Sequence, residues 1–208
     1  MFHLVLLGAA FSILIGWLGY KYQALTSSGA IGAIIIGTVV FACTQIPGSA
    51  LMLTFFVSSS IISRLYTKGK TEHTETNYFK ASPRDINQAL ANGGAAAMAA
   101  VIYWLTQKDW AWGALVGALA TANADTWASE LGTFSSKHPR LITTGKPVEH
   151  GTSGGITLSG SLAAVGGATC IAGIAAMLHS SEHPILPLVL ICTISGITGT
   201  FLDSLLGA

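Results

Sequence analysis

Charged side chains are scarce in this 208-residue chain: Asp, Glu, Lys and Arg together make up 9%, against about 25% in soluble domains. That is too few to give a globular fold of this size a water-facing surface, so an ordinary soluble domain is excluded. No surplus of either sign exists, with Lys+Arg at 10 and Asp+Glu at 9, and the sequence offers no basic face for a nucleic-acid partner. Cysteine is also rare. Cys43, Cys170 and Cys192 each stand in an apolar run and share no metal-ligand spacing, so they read as small buried hydrophobes. There is no G-x-x-x-x-G-K-[ST], which excludes a Walker-type phosphate loop.

What the chain does have is long apolar runs. Hydrophobic residues are 51%, Gly numbers 24, and mean hydropathy is +0.60. A helix spanning a bilayer needs about 17–25 apolar residues. Seven segments meet this, near 3–20, 29–46, 48–65, 86–106, 110–131, 153–178 and 184–206. The second and third are joined only by the tight turn Ile46-Pro47-Gly48. The first lacks a basic n-region and a clean small-x-small cleavage site, so it reads as a helix rather than a signal peptide. The predicted fold is all-α: a polytopic bundle of about seven helices, forming one integral membrane domain over 1–208.

The positive-inside rule orients it. Alternating the segments gives one face Lys21, Arg64, Lys68, Lys70, Lys80, Arg84, Lys137, Arg140 and Lys146, and the other only Lys108. This predicts the N-terminus outside, the C-terminus inside, and cytoplasmic loops at about 66–85 and 133–151. Trp104, Trp110 and Trp112 around Lys108 read as an aromatic belt at the outer interface. A weak echo between Thr26-Ser27-Ser28-Gly29-Ala30 and Thr152-Ser153-Gly154-Gly155-Ile156 points to a parallel repeat, although small polar residues are common helix caps.

Four polar clusters fall on the cytoplasmic side of this topology. The most informative is Ala120-Thr-Ala-Asn-Ala-Asp-Thr-Trp-Ala-Ser-Glu-Leu-Gly132, which holds Asn123, Asp125, Thr126, Ser129 and Glu130 within eight residues. Carboxylates at bilayer mid-depth cost roughly 2.5–3.5 kcal/mol each on insertion scales. They persist where they line a wet cavity, pair with cations or bind a metal. At 100° per residue Asn123, Thr126 and Glu130 share a face, and Asp125 lies roughly 100–160° away from them. Either the helix unwinds near Asp125, or Asp125 faces a neighbouring helix.

Arg84, Gln88 and Asn92 step down one face of the fourth segment at i, i+4 and i+8. Two amides below an Arg suit an anionic, polyhydroxylated ligand, although a snorkelling Arg with interhelical amides is the plainer reading. His150-Gly151-Thr152-Ser153-Gly154-Gly155 precedes the sixth segment, where glycines and a helix N-terminus suit phosphate. Lys146 and His150, in the basic loop, suit further phosphate contacts, although a topogenic charge explains Lys146 equally well. Asp203-Ser204 ends a stripe of Gly196, Gly199, Asp203 and Gly207 on the seventh segment. Three carboxylates, Asp125, Glu130 and Asp203, fit Mg²⁺, which takes oxygen ligands shared with substrate phosphates. The pattern suggests phosphoryl chemistry on a membrane-embedded substrate.

Four motifs, Ala-Asn-Ala-Asp-Thr-Trp-Ala-Ser-Glu-Leu-Gly, Gly-Thr-Ser-Gly-Gly, Gln-Ala-Leu-Ala-Asn-Gly-Gly and Leu-Asp-Ser-Leu-Leu-Gly-Ala, occur over nearly the whole chain. Together they resemble the multi-pass family that includes plant phytyl-phosphate kinase and its bacterial and archaeal relatives, also called the transmembrane protein 19 family. It is similar in logic to dolichol kinase, phytol kinase and CDP-diacylglycerol synthase. The resemblance implies the reaction CTP plus prenyl phosphate to CDP plus prenyl diphosphate. On that reading Asp125, Glu130 and Asp203 hold Mg²⁺ and Arg84 neutralises phosphate charge. Gly151, Thr152, Ser153, Gly154 and Gly155 supply donors, and Gln88, Asn92, Asn123, Thr126, Lys146 and Ser204 complete the nucleotide and phosphate contacts. The family commonly continues past Leu-Gly-Ala, so the resemblance implies that the chain stops short of its relatives. Two rivals stay open: a membrane cytidylyltransferase releasing pyrophosphate, and a transporter. Chain length of the prenyl group and oligomeric state are also open, since small-residue faces pack within one chain or between chains.

Overall fold

The computed structural model describes residues 2–70, 83–178 and 185–208, with side chains for all of these except 66–70 and 185. Among them are six helices: α1 (Phe2–Lys21), α2 (Ser27–Lys70), α3 (Ile86–Thr106), α4 (Asp109–Gly132), α5 (Leu158–Leu178) and α6 (Ile185–Leu206). Two-residue strands β1 (Arg140–Leu141) and β2 (Gly155–Ile156) pair antiparallel, Arg140 opposite Ile156 and Leu141 opposite Gly155. The all-α architecture read from the sequence is the one observed. Of the expected loop 66–85, residues 71–82, with Lys80, lie outside the described residues.

The helix count differs from seven because α2 spans two of the expected segments, with a break in the middle. Gln45 leaves the helical region at φ 53, ψ −136, and Pro47 follows. Proline lacks an N–H and its ring clashes with the carbonyl four residues back. Thr44 turns its hydroxyl onto the Val40 carbonyl at 2.6 Å, and a Cβ on Gly48 would overlap that hydroxyl. The arms before and after Gln45 run back on each other. A Cβ on Gly19 would lie 2.6 Å from Leu25 Cδ1 and 2.9 Å from Phe56 Cζ. An unbroken helix would separate residues 25 and 56 by about 46 Å. The stretch Ser27–Leu65, at 39 residues, is thus two spans of the roughly 30 Å hydrocarbon core.

Among the described residues, five helices are long and apolar enough to cross a membrane: α1, α2, α3, α5 and α6. α4 falls outside that group because Asn123, Asp125, Ser129 and Glu130 interrupt its apolar run. The helices turn small residues inward and large ones outward, as helices do in lipid. In α1, Gly8, Gly16 and Gly19 are buried, whereas Leu6, Leu7, Ile13, Leu14 and Trp17 are exposed.

The chain divides into two compact units, 1–56 with 75–119 and 57–74 with 120–208. In unit 1, α1 packs on the first arm of α2 and α3 closes against it. There Trp112 is buried beside Tyr103, ring centroids 5.6 Å apart, while Trp104 and Trp110 stay exposed. Trp112 therefore belongs to the core and not to the predicted belt, because α4 reverses tightly after Lys108 and turns that ring inward. In unit 2, α4 lies against α5 and α6 through near-backbone contacts. A Cβ on Gly167 would sit 3.0 Å from the Asn123 carbonyl, and one on Gly196 3.1 Å from that of Ala120.

The echo read between Thr26–Ala30 and Thr152–Ile156 does not hold at those positions, since a matching cap lies at Thr157 instead. Thr26 caps α2, accepting from Gly29 N at 3.0 Å, and Thr157 caps α5, accepting from Gly160 N at 3.0 Å. In both, the Thr hydroxyl also meets a Ser two residues on, at 3.0 and 3.2 Å. Each glycine abuts another helix's carbonyl or lead-in, Gly29 at Arg84 and Gly160 at Ala128. The repeated element is Thr-x-Ser-Gly, so Thr157 and not Thr152 is the counterpart of Thr26. α5 accordingly begins at Leu158 rather than at 153. The match ends there, since α3 starts at the Thr26 cap whereas α4 ends at the Thr157 cap.

Candidate functional site

A polar cavity of about 320 Å³ opens in unit 2. Three segments wall it: the last turns of α4 with Asp125, Ser129 and Gly132, the His150–Thr157 segment into α5, and the end of α6 with Thr200, Asp203 and Ser204. Three of the four predicted clusters therefore share one space.

Each wall has a local cause. α4 stays helical through Gly132, so the carboxylates of the Asn-Ala-Asp-Thr-Trp-Ala-Ser-Glu run point to different surroundings. Asp125 faces the cavity. Asn123 is fully buried; its Nδ2 donates to the Gly167 carbonyl at 2.9 Å and its Oδ1 accepts from Ser58 at 3.0 Å. Thr126 donates back to the Ala122 carbonyl at 2.9 Å. Glu130 accepts from Ser63 at 2.7 Å and is absent from the cavity wall. Helix periodicity resolves the open alternative: the helix does not unwind, and Asp125 faces away from Asn123, Thr126 and Glu130.

The 133–157 connection is folded. Leu141 N donates to Lys146 O, Ile142 N to Gly154 O and Val148 N to Pro139 O, each at 2.9 Å. Gly151 at φ 89 and Gly154 at φ 76 adopt the left-handed backbone that side chains disfavour. At Gly154 a Cβ would also lie 2.9 Å from the Ser204 carbonyl, so the loop rests directly on the end of α6. Because α5 begins at Leu158, the glycines lie in the turn and strand ahead of the helix. Thr152 N and Gly155 N are spent within that turn, on the carbonyls of Glu149 and Thr152.

Lys146 is exposed and does not line the cavity. His150 does, and among the described residues it is the wall's one nitrogen-bearing side chain. Its Nδ1 is buried with no hydrogen-bond partner among the described residues, and its ring lies 5.8 Å from that of His138. The sequence marked His150 only by its place beside the glycines. Asp125 and Asp203 both line the cavity, amid the hydroxyls of Ser129, Thr133, Thr152 and Thr200. Among the described residues no three His, Cys, Asp or Glu come together as a ligand group. Two carboxylates among several hydroxyls still fit Mg²⁺, which is commonly held by one or two carboxylates plus substrate phosphates and water.

Arg84, Gln88 and Asn92 belong to unit 1. The Arg84 backbone bridges to the α1–α2 connection, donating to Ala24 O and accepting from Thr26 N, both at 3.0 Å. Gln88 is exposed, and its N–H is capped by the Asp85 carboxylate at 2.9 Å. Arg84 and Asn92 line a separate, largely apolar cavity bounded by α1, both arms of α2 and α3.

Comparison with known proteins places this arrangement. The chain is 33% identical to Protein PGR of Arabidopsis thaliana over 220 residues, covering 95% of this chain and 75% of the relative. It is 34% identical to an uncharacterized membrane protein of Methanocaldococcus jannaschii over 188 residues, 90% of this chain and 75% of the relative. A Synechocystis uncharacterized membrane protein is 29% identical over 191 residues, 89% and 72% of the two chains. No solved structure matches. The family model described as Integral membrane protein DUF92 matches residues 10–208, in keeping with the multi-pass family that the four motifs resemble. The chain is a multi-pass integral membrane protein and belongs to the DUF92 family.

Proposed function

We propose that the protein is a CTP-dependent prenyl-phosphate kinase whose nucleotide phosphates sit in the unit 2 cavity. The observation that carries this reading is the meeting of Asp125, Asp203 and the positive-φ glycine turn on one polar space at the end of membrane helices. Two carboxylates alone would repel a triphosphate. With a divalent cation between them and the ligand, that same wall becomes a triphosphate site. Bound there, Mg²⁺ would neutralise charge on the phosphates. Asp125 and Asp203 would hold it, while Glu130, engaged with Ser63, would support the end of α4.

The nucleophile is a phosphate oxygen of the prenyl phosphate, already anionic, so no strong base is needed. It forms a bond to the γ-phosphorus of CTP as the bond from that phosphorus to the β,γ-bridging oxygen breaks, and CDP leaves with the electron pair. Catalysis then rests on positioning and charge stabilisation. The turn 151–155 brings backbone close to the phosphates, and the hydroxyls of Ser153 and Ser204 flank it. The choice of CTP and of a prenyl phosphate rests on the family resemblance.

The test is product analysis on purified protein in detergent with geranylgeranyl phosphate, Mg²⁺ and either CTP or ATP. CDP release that depends on the lipid phosphate is expected. Pyrophosphate release would replace the reading with cytidylyl transfer. Solute flux into liposomes without nucleotide consumption would replace it with transport.

A further inference from the structure

His138 and His150 stand at the two ends of the folded connection in unit 2, twelve positions apart in the sequence. That separation matches no short metal-ligand spacing such as H-x₃₋₅-H, so the sequence alone pairs neither with anything. The fold brings their rings to 5.8 Å between centroids, with 36° between the ring planes. Backbone pairing holds them there. Pro139, next to His138, accepts from Val148 N at 2.9 Å, and Arg140 bridges to Pro147. Behind this pairing a Cβ on Gly155 would meet Pro139 Cβ at 3.2 Å and Val148 Cγ2 at 3.3 Å. The left-handed turn at Gly151, φ 89, follows His150 directly. The Nδ1 of His150 has no hydrogen-bond partner among the described residues, and His138 is exposed, so its ring has room to turn.

Two imidazoles side by side are the ligand chemistry of Zn²⁺, Cu²⁺ and Ni²⁺, whereas Mg²⁺ takes carboxylate, carbonyl and water oxygens. Zn–N bonds of about 2.0–2.1 Å put each ring centre about 3.2 Å from the metal, so two rings at the tetrahedral angle have centres about 5.2 Å apart. The separation of 5.8 Å exceeds this by about 0.6 Å, a gap that rotation of the exposed His138 side chain closes without moving backbone. We infer that His138 and His150 form a binding site for a borderline-soft divalent cation such as Zn²⁺, beside the carboxylate wall of Asp125 and Asp203 and different from it in ligand chemistry. Among the described residues no third His, Cys, Asp or Glu completes the set, so two of the four tetrahedral positions are left to water. Such a site loads and empties with the metal concentration, unlike a closed four-ligand structural site. Loading it ties the start of the connection to the residue before the glycine turn, and it engages a ring that lines the polar cavity.

The test is Zn²⁺ binding by the purified full chain without a polyhistidine tag, in detergent with excess Mg²⁺ and no nucleotide, read by calorimetry and by melting temperature. One saturable Zn²⁺ per chain is expected, with a raised melting temperature, because a ligand that binds only the folded state stabilises it. Loss of even an outer-shell partner typically costs 10–100-fold in metal affinity, so His138→Ala and His150→Ala, which each remove a direct ligand, should weaken binding by about ten-fold or more. Asp125→Asn should leave Zn²⁺ affinity unchanged. With Cu²⁺ as the probe, electron paramagnetic resonance should show coupling to two imidazole nitrogens in the wild type and to one in His138→Ala. Absence of saturable Zn²⁺ binding, unchanged affinity in His138→Ala, or loss of binding in Asp125→Asn with both histidines intact would each overturn the inference. Since His138 is exposed, its substitution decides the matter even where His150→Ala does not fold. No nucleotide is present, so zinc binding and CDP release succeed or fail independently of each other.

Discussion

At the scale of single residues, identity in the sequence and role in the structure separate most clearly along α4. Asn123 and Asp125 are two positions apart, yet one is a fully buried clamp and the other lines the cavity. Asn123→Ala removes the hydrogen bonds with the Gly167 carbonyl and Ser58. Each buried hydrogen bond contributes about 0.5–1.5 kcal/mol, so a lowered melting temperature in detergent is the expected result. Asp125→Asn should instead lower lipid-dependent CDP release by a factor on the order of 10²–10³, the scale of losing a preorganised charge-stabilising group, with helix content by circular dichroism unchanged. Full turnover in that variant would remove Asp125 from the site. His150 carries a third prediction. On the kinase reading the His150 ring, which lines the cavity, would donate to a nucleotide phosphate, and hydrogen bonds to charged groups contribute about 1.5–3 kcal/mol. His150→Ala should raise the KM for CTP by about ten-fold or more, and His150→Gln, which keeps a donor, should recover part of it.

At the scale of elements, close approach of backbones decides what the motifs do. The Thr-x-Ser-Gly caps start α2 and α5 against carbonyls of other segments, and only glycine fits at the fourth position. Gly160→Leu would drive a side chain into the Ala128 carbonyl, 2.9 Å from where its Cβ must go. Overpacking of this kind costs typically 1–3 kcal/mol or more, so loss of folded yield is expected on size-exclusion chromatography. The glycine turn is constrained twice. Gly154 has φ 76 and rests on Ser204 and Ala208. Gly154→Ala adds a left-handed backbone penalty of about 1–2 kcal/mol to a steric one, and it should loosen the cavity wall as well as the loop.

At the scale of the whole molecule, the two compact units carry different chemistries. Unit 1 holds the apolar cavity with Arg84, and unit 2 the polar cavity with Asp125 and Asp203. The positive-inside count predicts that loops 66–85 and 133–151 face the cytoplasm. Single cysteines placed at Lys137 and Lys108, in a background with Cys43, Cys170 and Cys192 replaced by alanine, test this in intact cells. An impermeant maleimide is expected to label position 108 and to spare 137 until the membrane is opened. The reverse pattern would invert the orientation.

The sequence by itself determined the all-helical membrane class, the boundaries of α1, α3 and α4 to within a residue or two, the reversal at Pro47, and the gathering of the Asp125, His150–Gly155 and Asp203 clusters. Those features depend on local properties: apolar length, proline's missing donor, and the low tolerance of a bilayer for charge. Tertiary structure alone decided which polar groups were available to a ligand. Asn123, Thr126 and Glu130 have the composition of site residues, but neighbouring helices and their own backbone take up their hydrogen bonds. Lys146 lies on the exposed side of a hairpin that sequence patterning did not foresee. Arg84 and Asn92 face an apolar cavity because residues far apart in the chain, from Phe11 to Phe56, close around them. Periodicity assigns a residue to a helix face. What lies opposite that face depends on which helix packs there, and no local pattern encodes that.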